Sequence, residues 1–232
     1  MKASLRFLLL AAAVAAPASH AAEVRQPRPA AGFHTVALSA PVKLQVVQGE
    51  AEGLVLEGEE RDLADIESFV EAGVLRIRVK PGVHRFDGRR ISGTVNARRL
   101  QGLSIQGSGD IGAQKLAAQD LAVSIAGSGD VRIGALTAAR LDASISGSGD
   151  MEVAGRAERV AVKIAGSGDV RAAGLESRDV SVSIAGSGDA KVWASEQLQV
   201  RIAGSGDVRY RGEPRVTPSV VGSGTIKRLP PG

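Results

Sequence analysis

Apolar and polar residues alternate along most of this chain, and from Ile91 onward the alternation recurs at a nearly fixed interval. Ile105, Ile125, Ile145, Ile164, Ile184, Ile202 and Val220 each stand two residues before a glycine. Two residues earlier come Leu103, Val123, Ala143, Val162, Val182 and Val200, and two earlier again Leu121, Leu141, Val160, Val180 and Leu198. Period-two alternation turns all three columns to one face of a strand. The glycine opens Gly-Ser-Gly-Asp at 107–110, 127–130, 147–150, 166–169, 186–189 and 204–207, and Gly-Ser-Gly-Thr at 222–225. Past the corner, Ile111, Val131, Met151, Val170, Ala190 and Val208 point inward again, followed by Ile133, Val153, Ala172, Val192 and Tyr210.

Successive fourth residues of the motif are 20, 20, 19, 20, 18 and 18 apart. Self-similarity at that period marks a solenoid, whose units bury their apolar faces only by stacking on copies of themselves. Each coil is expected to hold two strands meeting at the Gly-Ser-Gly-Asp corner and a less regular return such as Ala135 to Arg140. One glycine would supply a positive φ and the other a close approach between coils. The fold class is all-β: a right-handed parallel β-helix of about seven coils of 18–20 residues over 91–228, a rod of roughly 30 Å at the usual strand spacing.

Before the array, residues 33–90 read as a β-rich segment of the same domain that caps one end. Phe33 to Leu38, Val42 to Val46, Leu54 to Gly58 and Val74 to Val79 alternate as strands, with Gly73 as a turn. Leu63, Ile66 and Phe69 behind Asp62 predict one short helix over 62–69. Pro81 to Arg90, with His84, is an exposed loop. Pro27 and Pro29 make 22–32 a flexible or extended leader, and residues 229–232 form a tail whose prolines blunt the other end.

Met1, Lys2 and Arg6, the apolar run Leu5 to Ala16, and Ser19-His20-Ala21 have the layout of a secretory signal peptide over 1–21. Export to the periplasm, cell surface or medium is therefore expected, with no transmembrane segment. The chain has no cysteine, so it carries neither a lipid anchor on cysteine nor disulfides. Its net charge of +4 falls to about +2 without Lys2 and Arg6, too little to argue for nucleic acid. Recognition must come from local patterning.

Stacked coils turn Asp110, Asp130, Asp150, Asp169, Asp189 and Asp207 into a carboxylate ladder at about 4.8 Å spacing. Hydrogen bonds from amides of each aspartate's own corner, or from the serine, are the expected relief; calcium held between coils, as in Asp-bearing β-rolls, is the alternative. Two residues on, Arg132, Glu152, Arg171, Lys191 and Arg209 form a mostly basic column able to pair diagonally with the ladder. Trp193 lies two further along, with Arg211 at the equivalent place in the next coil. Arg132, Arg171, Lys191, Trp193, Arg209 and Arg211 are thus the candidate ligand-binding residues, suited to sugar rings or an anionic polymer. Ser124, Ala126, Ser144, Ser146, Ala165, Ser183, Ala185 and Ala203 make a flat face that could pack on another sheet or on a second copy of the chain.

The strand region with Val46-Val47-Gln48-Gly49, followed by the iterated Ser-Ile-x-Gly-Ser-Gly-Asp-Val, resembles the head GIN domain family of auto-transporter adhesins over roughly residues 33–228. The resemblance implies a β-helical exported bacterial protein and an adhesive role in the cell envelope, with a glycan or protein partner. It brings no catalytic residues. A polysaccharide lyase or glycoside hydrolase is the enzyme alternative, but such sites need clustered carboxylates in a cleft built from long loops, and the coils vary by only two residues. His34 and His84 fall outside the array, and no histidine or cysteine spacing suits a metal. The expectation is a non-enzymatic binding or scaffolding module without a cofactor.

Overall fold

A strand that is apolar on one face at a repeating interval needs an identical neighbour in register, and each coil supplies one to the next. The computed structural model of the 232-residue chain describes residues 23–83 and 91–230. The expected signal peptide, His84 with the rest of 84–90, and the last two residues lie outside the described residues. In chain order the elements are β1 (Glu23–Arg28), β2 (Thr35–Ser39), β3 (Lys43–Gln48), β4 (Gly53–Glu59), α1 (Glu60–Ala64), β5 (Ile66–Glu71), β6 (Val74–Val79), β7 (Ser92–Ala97), β8 (Gly102–Gly107), β9 (Asp110–Gly127), β10 (Val131–Gly147), β11 (Met151–Gly166), β12 (Val170–Gly186), β13 (Ala190–Gly204), β14 (Val208–Arg211), β15 (Arg215–Gly222) and β16 (Ile226–Arg228).

Strands β9 to β13 stack in parallel and in register, with Ile125, Ile145, Ile164, Ile184 and Ile202 directly above one another. The expected inward columns are buried from Leu103 to Ile202. This is a parallel β-solenoid of about six turns, one fewer than the number of corners, because seven corners bound six intervals. The return segment is more regular than expected. In β10 the alternation lapses at Gly134-Ala135 and again at Ala139-Arg140, while Leu136 and Ala138 between them are buried. Each such coil therefore bends at two places besides its glycine corner, and a third inward side carries Leu116, Leu136, Leu175, Ala157 and Ala194.

The N-terminal segment is woven into the stack. β2 lies between β6 and β8, and β3 between β7 and β9, all parallel. Corner Ala40-Pro41-Val42 takes the place of a glycine corner beneath the array, and Asp110 N–H donates to Val42 O (3.0 Å). The chain then runs to the far end, where β4 and β5 pair antiparallel with β7 and β6 and α1 joins them. Antiparallel strands at the terminus cannot template a further parallel coil, which is how this end is capped.

Two boundaries differ from expectation. The helix is a single turn, Glu60–Ala64, and the chain from Ile66 is already strand β5. Leu63 and Ile66 are both buried, so the three-residue spacing that suggested one helix spans a helix–strand junction. The leader is not loose: Glu23–Arg28 pairs antiparallel with β4, and Ala30 and Phe33 join the core. Proline is tolerated there because β1 is an edge strand.

Candidate functional site

The glycine corner explains what the aspartates do. The first glycine of each motif has φ between +107° and +137°, a region closed to ordinary side chains. From the second coil on, a Cβ on either glycine would collide with a carbonyl oxygen of the coil below. Ser128 and Gly129 N–H groups both donate to Gly107 O (2.8 and 3.1 Å), a pattern repeated at the corners of Gly149, Gly168, Gly188 and Gly224, while at the Gly204 corner Ser205 N–H donates to Gly186 O (2.9 Å). That shared acceptor leaves the next amide without a carbonyl, and the aspartate below fills the gap. Asp130 N–H donates to Asp110 Oδ1 (3.2 Å), and the same bond recurs from Asp150, Asp169, Asp189 and Asp207 at 2.8–3.1 Å. The carboxylate thus bonds the coil above rather than its own corner. At the top, Thr225 donates both N–H (2.9 Å) and Oγ1 (2.7 Å) to Asp207 Oδ1. The hydroxyl and amide of Thr225, in that order, hold the Asp207 carboxyl below its ordinary 3.8.

The second carboxylate oxygen faces the basic column. Arg132 donates to Asp130 (2.8 Å), Arg171 to Asp150 (2.9 Å) and Asp169 (3.3 Å), and Arg209 to Asp189 (3.3 Å) and Asp207 (3.2 Å). The Asp150 hydrogen bond raises the Arg171 guanidinium above its ordinary value. Three of the six candidate ligand residues are therefore engaged in relieving the ladder. Among the described residues no group of three or more histidine, cysteine, aspartate or glutamate side chains is arranged to hold a metal ion.

Lys191, Trp193 and Arg211 sit apart from that network. The two-residue shortening of this coil deletes the bend at Ala173 to Leu175, so β13 passes directly from Val192 to Trp193, which aligns with Glu176 below and Arg211 above. Trp193 is half-buried, and its Cδ1 edge borders Gly212. Glu176 accepts from Arg156 (2.9 Å). Trp193 thus stands between a carboxylate one coil below and a guanidinium one coil above.

A feature that the sequence reading passed over lies on the opposite side of the return. Where the chain bends into the strand preceding each corner, a groove of about 440 Å³ runs over five coils. Arg140, Arg159, Asp179, Gln197 and Arg215 stack along one rim. Arg140 is held by Asp142 at 2.7 and 2.9 Å, which keeps the Asp142 carboxyl below its ordinary value, while Asp179 is held by Arg178 at 3.0 Å. Beyond the groove, the flat face of serines and alanines is interrupted by charge. Lys163 and Arg201 occupy the column of Ser124, Ser144 and Ser183 and are exposed. The signal was present in the interval arithmetic, which places residues 163 and 201 in the serine column.

A family model described as putative auto-transporter adhesin, head GIN domain, matches residues 32–214. Among solved structures, a putative adhesin from Bacteroides fragilis superposes with a TM-score of 0.82 at 23% identity, covering 90% of this chain and 97% of that one. A putative lipid binding protein from Parabacteroides distasonis gives 0.72 at 22% identity, covering 89% and 96%. A putative adhesin from Parabacteroides merdae gives 0.70 at 22% identity with the same coverage. At these identities the structural likeness shows the fold. No curated protein matches the sequence.

Proposed function

The chain belongs to the head GIN domain family, and from that premise we propose that it is an exported, non-enzymatic binding or scaffolding module of the bacterial cell envelope, with adhesion to an envelope glycan as its role. The observation that carries this reading is the constancy of the coils. Six intervals of 18–20 residues leave no inserted loop over the array, so the exposed chemistry lies on shallow side faces suited to contacting a large partner. Trp193, with Lys191 and Arg211 around it, is the proposed contact; Arg132, Arg171 and Arg209 are assigned instead to the ladder. The family description and the amino-terminal pattern of residues 1–21 support export. No helix among the described residues is long and apolar enough to cross a membrane.

The test uses residues 22–232 on immobilised envelope polysaccharides and peptidoglycan, comparing wild type with Trp193→Ala and Arg211→Gln. Loss of one indole stacking face is expected to weaken binding by roughly tenfold or more, about 1–2 kcal/mol, with an unchanged melting temperature. Wild-type binding by both variants would remove the site from this patch.

A further inference from the structure

We infer that the groove along Arg140, Arg159, Asp179, Gln197 and Arg215 is a second binding track, which takes an anionic sugar chain lying lengthwise along the rod. This assignment stands on residues separate from the Trp193 patch. Arg159 and Arg215 are exposed on the rim and make no direct ion pair among the described residues; Lys163 and Arg201, also exposed and without a direct ion pair there, stand on the far side of the intervening Ala161–Ser181–Gln199–Thr217 column, where Lys163 helps to hold the Asp142 carboxyl low. The cations engaged with carboxylates, Arg140 and Arg178, are those whose charge is already spent. Two arginines without a direct ion pair, Arg159 and Arg215, therefore line one recess, and two further cations stand beside it. Arg159 and Arg215 are three coils apart in register, about 14 Å at the inter-strand spacing. One carboxylate or phosphate cannot bridge that distance, so the occupant must carry negative charge at intervals along its length.

The lining between the cations decides the class of polymer. Ser181, Gln199 and Thr217 form an outward column of hydroxyls and amides along the groove, which are partners for a hydroxyl-rich chain. No aromatic residue lines the groove, so it offers no stacking platform for the bases of a single-stranded nucleic acid. The strands beneath are paired on both sides up to β13, and a chain lying lengthwise along the rod crosses them instead of running beside the open edge of β15, so an extended peptide in this track has no sheet edge to pair with. Its apolar floor of Val160, Val180 and Leu198 is buried and presents nothing to insert into a bilayer. An acidic polysaccharide satisfies all of these conditions.

The experiment titrates residues 22–232 by calorimetry with a hexamer of galacturonic acid, a sulfated hexamer, and the methyl-esterified neutral hexamer. The variants are Trp193→Ala and the double variant Arg159→Gln/Arg215→Gln. We expect saturable binding of at least one acidic hexamer, weakened by added salt, with the neutral one roughly tenfold weaker or more. The double variant should lose a similar factor at an unchanged melting temperature, and Trp193→Ala should bind as wild type does. Equal binding of the neutral hexamer, full affinity in the double variant, or loss of binding in Trp193→Ala would overturn the assignment. So would no binding of either acidic hexamer, or stronger binding to phosphatidylglycerol vesicles or single-stranded DNA. Failure here leaves the Trp193 reading intact, because that reading fails only in its own variants.

Discussion

Each ladder aspartate has two jobs assigned to two oxygens. Oδ1 accepts the amide of the coil above, and where an arginine is in reach Oδ2 accepts from it. Asp150→Asn keeps the first and loses the second, an exposed ion pair of about 0.5 kcal/mol. Asp150→Ala leaves the Asp169 amide without its acceptor and should cost about 1–2 kcal/mol. Urea unfolding of the two variants distinguishes them; equal stabilities would refute the division of labour. Thr225→Val supplies a pH test. The folded Asp207 carboxyl lies below its ordinary 3.8 because it accepts from the Thr225 hydroxyl and amide. That stabilisation is complete above 3.8 and disappears as pH falls through the depressed folded value. Melts should separate wild type from Thr225→Val at pH 7, and the gap should shrink as the pH is taken below 3.8 towards the depressed folded value; a gap that widens in acid would contradict it. The need for an aspartate at each corner was legible in the repeat. Its true partner was not, because the shared acceptor at Gly107 and its equivalents, which leaves one amide over, is a property of stacked coils rather than of one corner.

Among the elements, strands around the corner were legible because Ile105 to Ile202 keep step with the glycines over every interval. The return side was obscured where the interval changes. Leu136 aligns with Gly155 and then Leu175, so its apolar column is broken by a glycine, and in β13 the bend is deleted altogether. Those same irregularities shape the side faces: the deletion sets Trp193 beside Glu176, and the second bend opens the Arg159 groove. The last strands show how the open end is managed. Val221 is 73% exposed, and Val216, Pro218 and Val220 continue inward columns with no coil above them. Ala122 N–H donates back to Gln101 O; Thr217 continues that column, so the position of Pro218 faces the open edge, where proline has no N–H to offer. This residue blunts the edge, and among the described residues the tail adds the bond from Leu229 N–H to Tyr210 O (2.8 Å). Pro218→Val restores the donor and should cause concentration-dependent association in sedimentation velocity, which wild type should show less. Identical sedimentation of the two would exclude the role given to Pro218.

For the whole molecule, the order of strands could not be read from the chain because it is not sequential: β2 and β3 slot between coils that are later in sequence. The consequence is a rod capped at one end and blunted at the other, with a sealed aliphatic core and its charged ladder spent on holding coils together. What remains for recognition is the surface of the sides. The most direct test of that account is binding of residues 22–232 to a broad panel of envelope glycans, measured with calcium and again with a chelator. The account predicts saturable binding to at least one glycan with the same affinity in both conditions. Binding that requires calcium would return the aspartate ladder to a ligand-holding role, and no binding in either condition would contradict the adhesive reading.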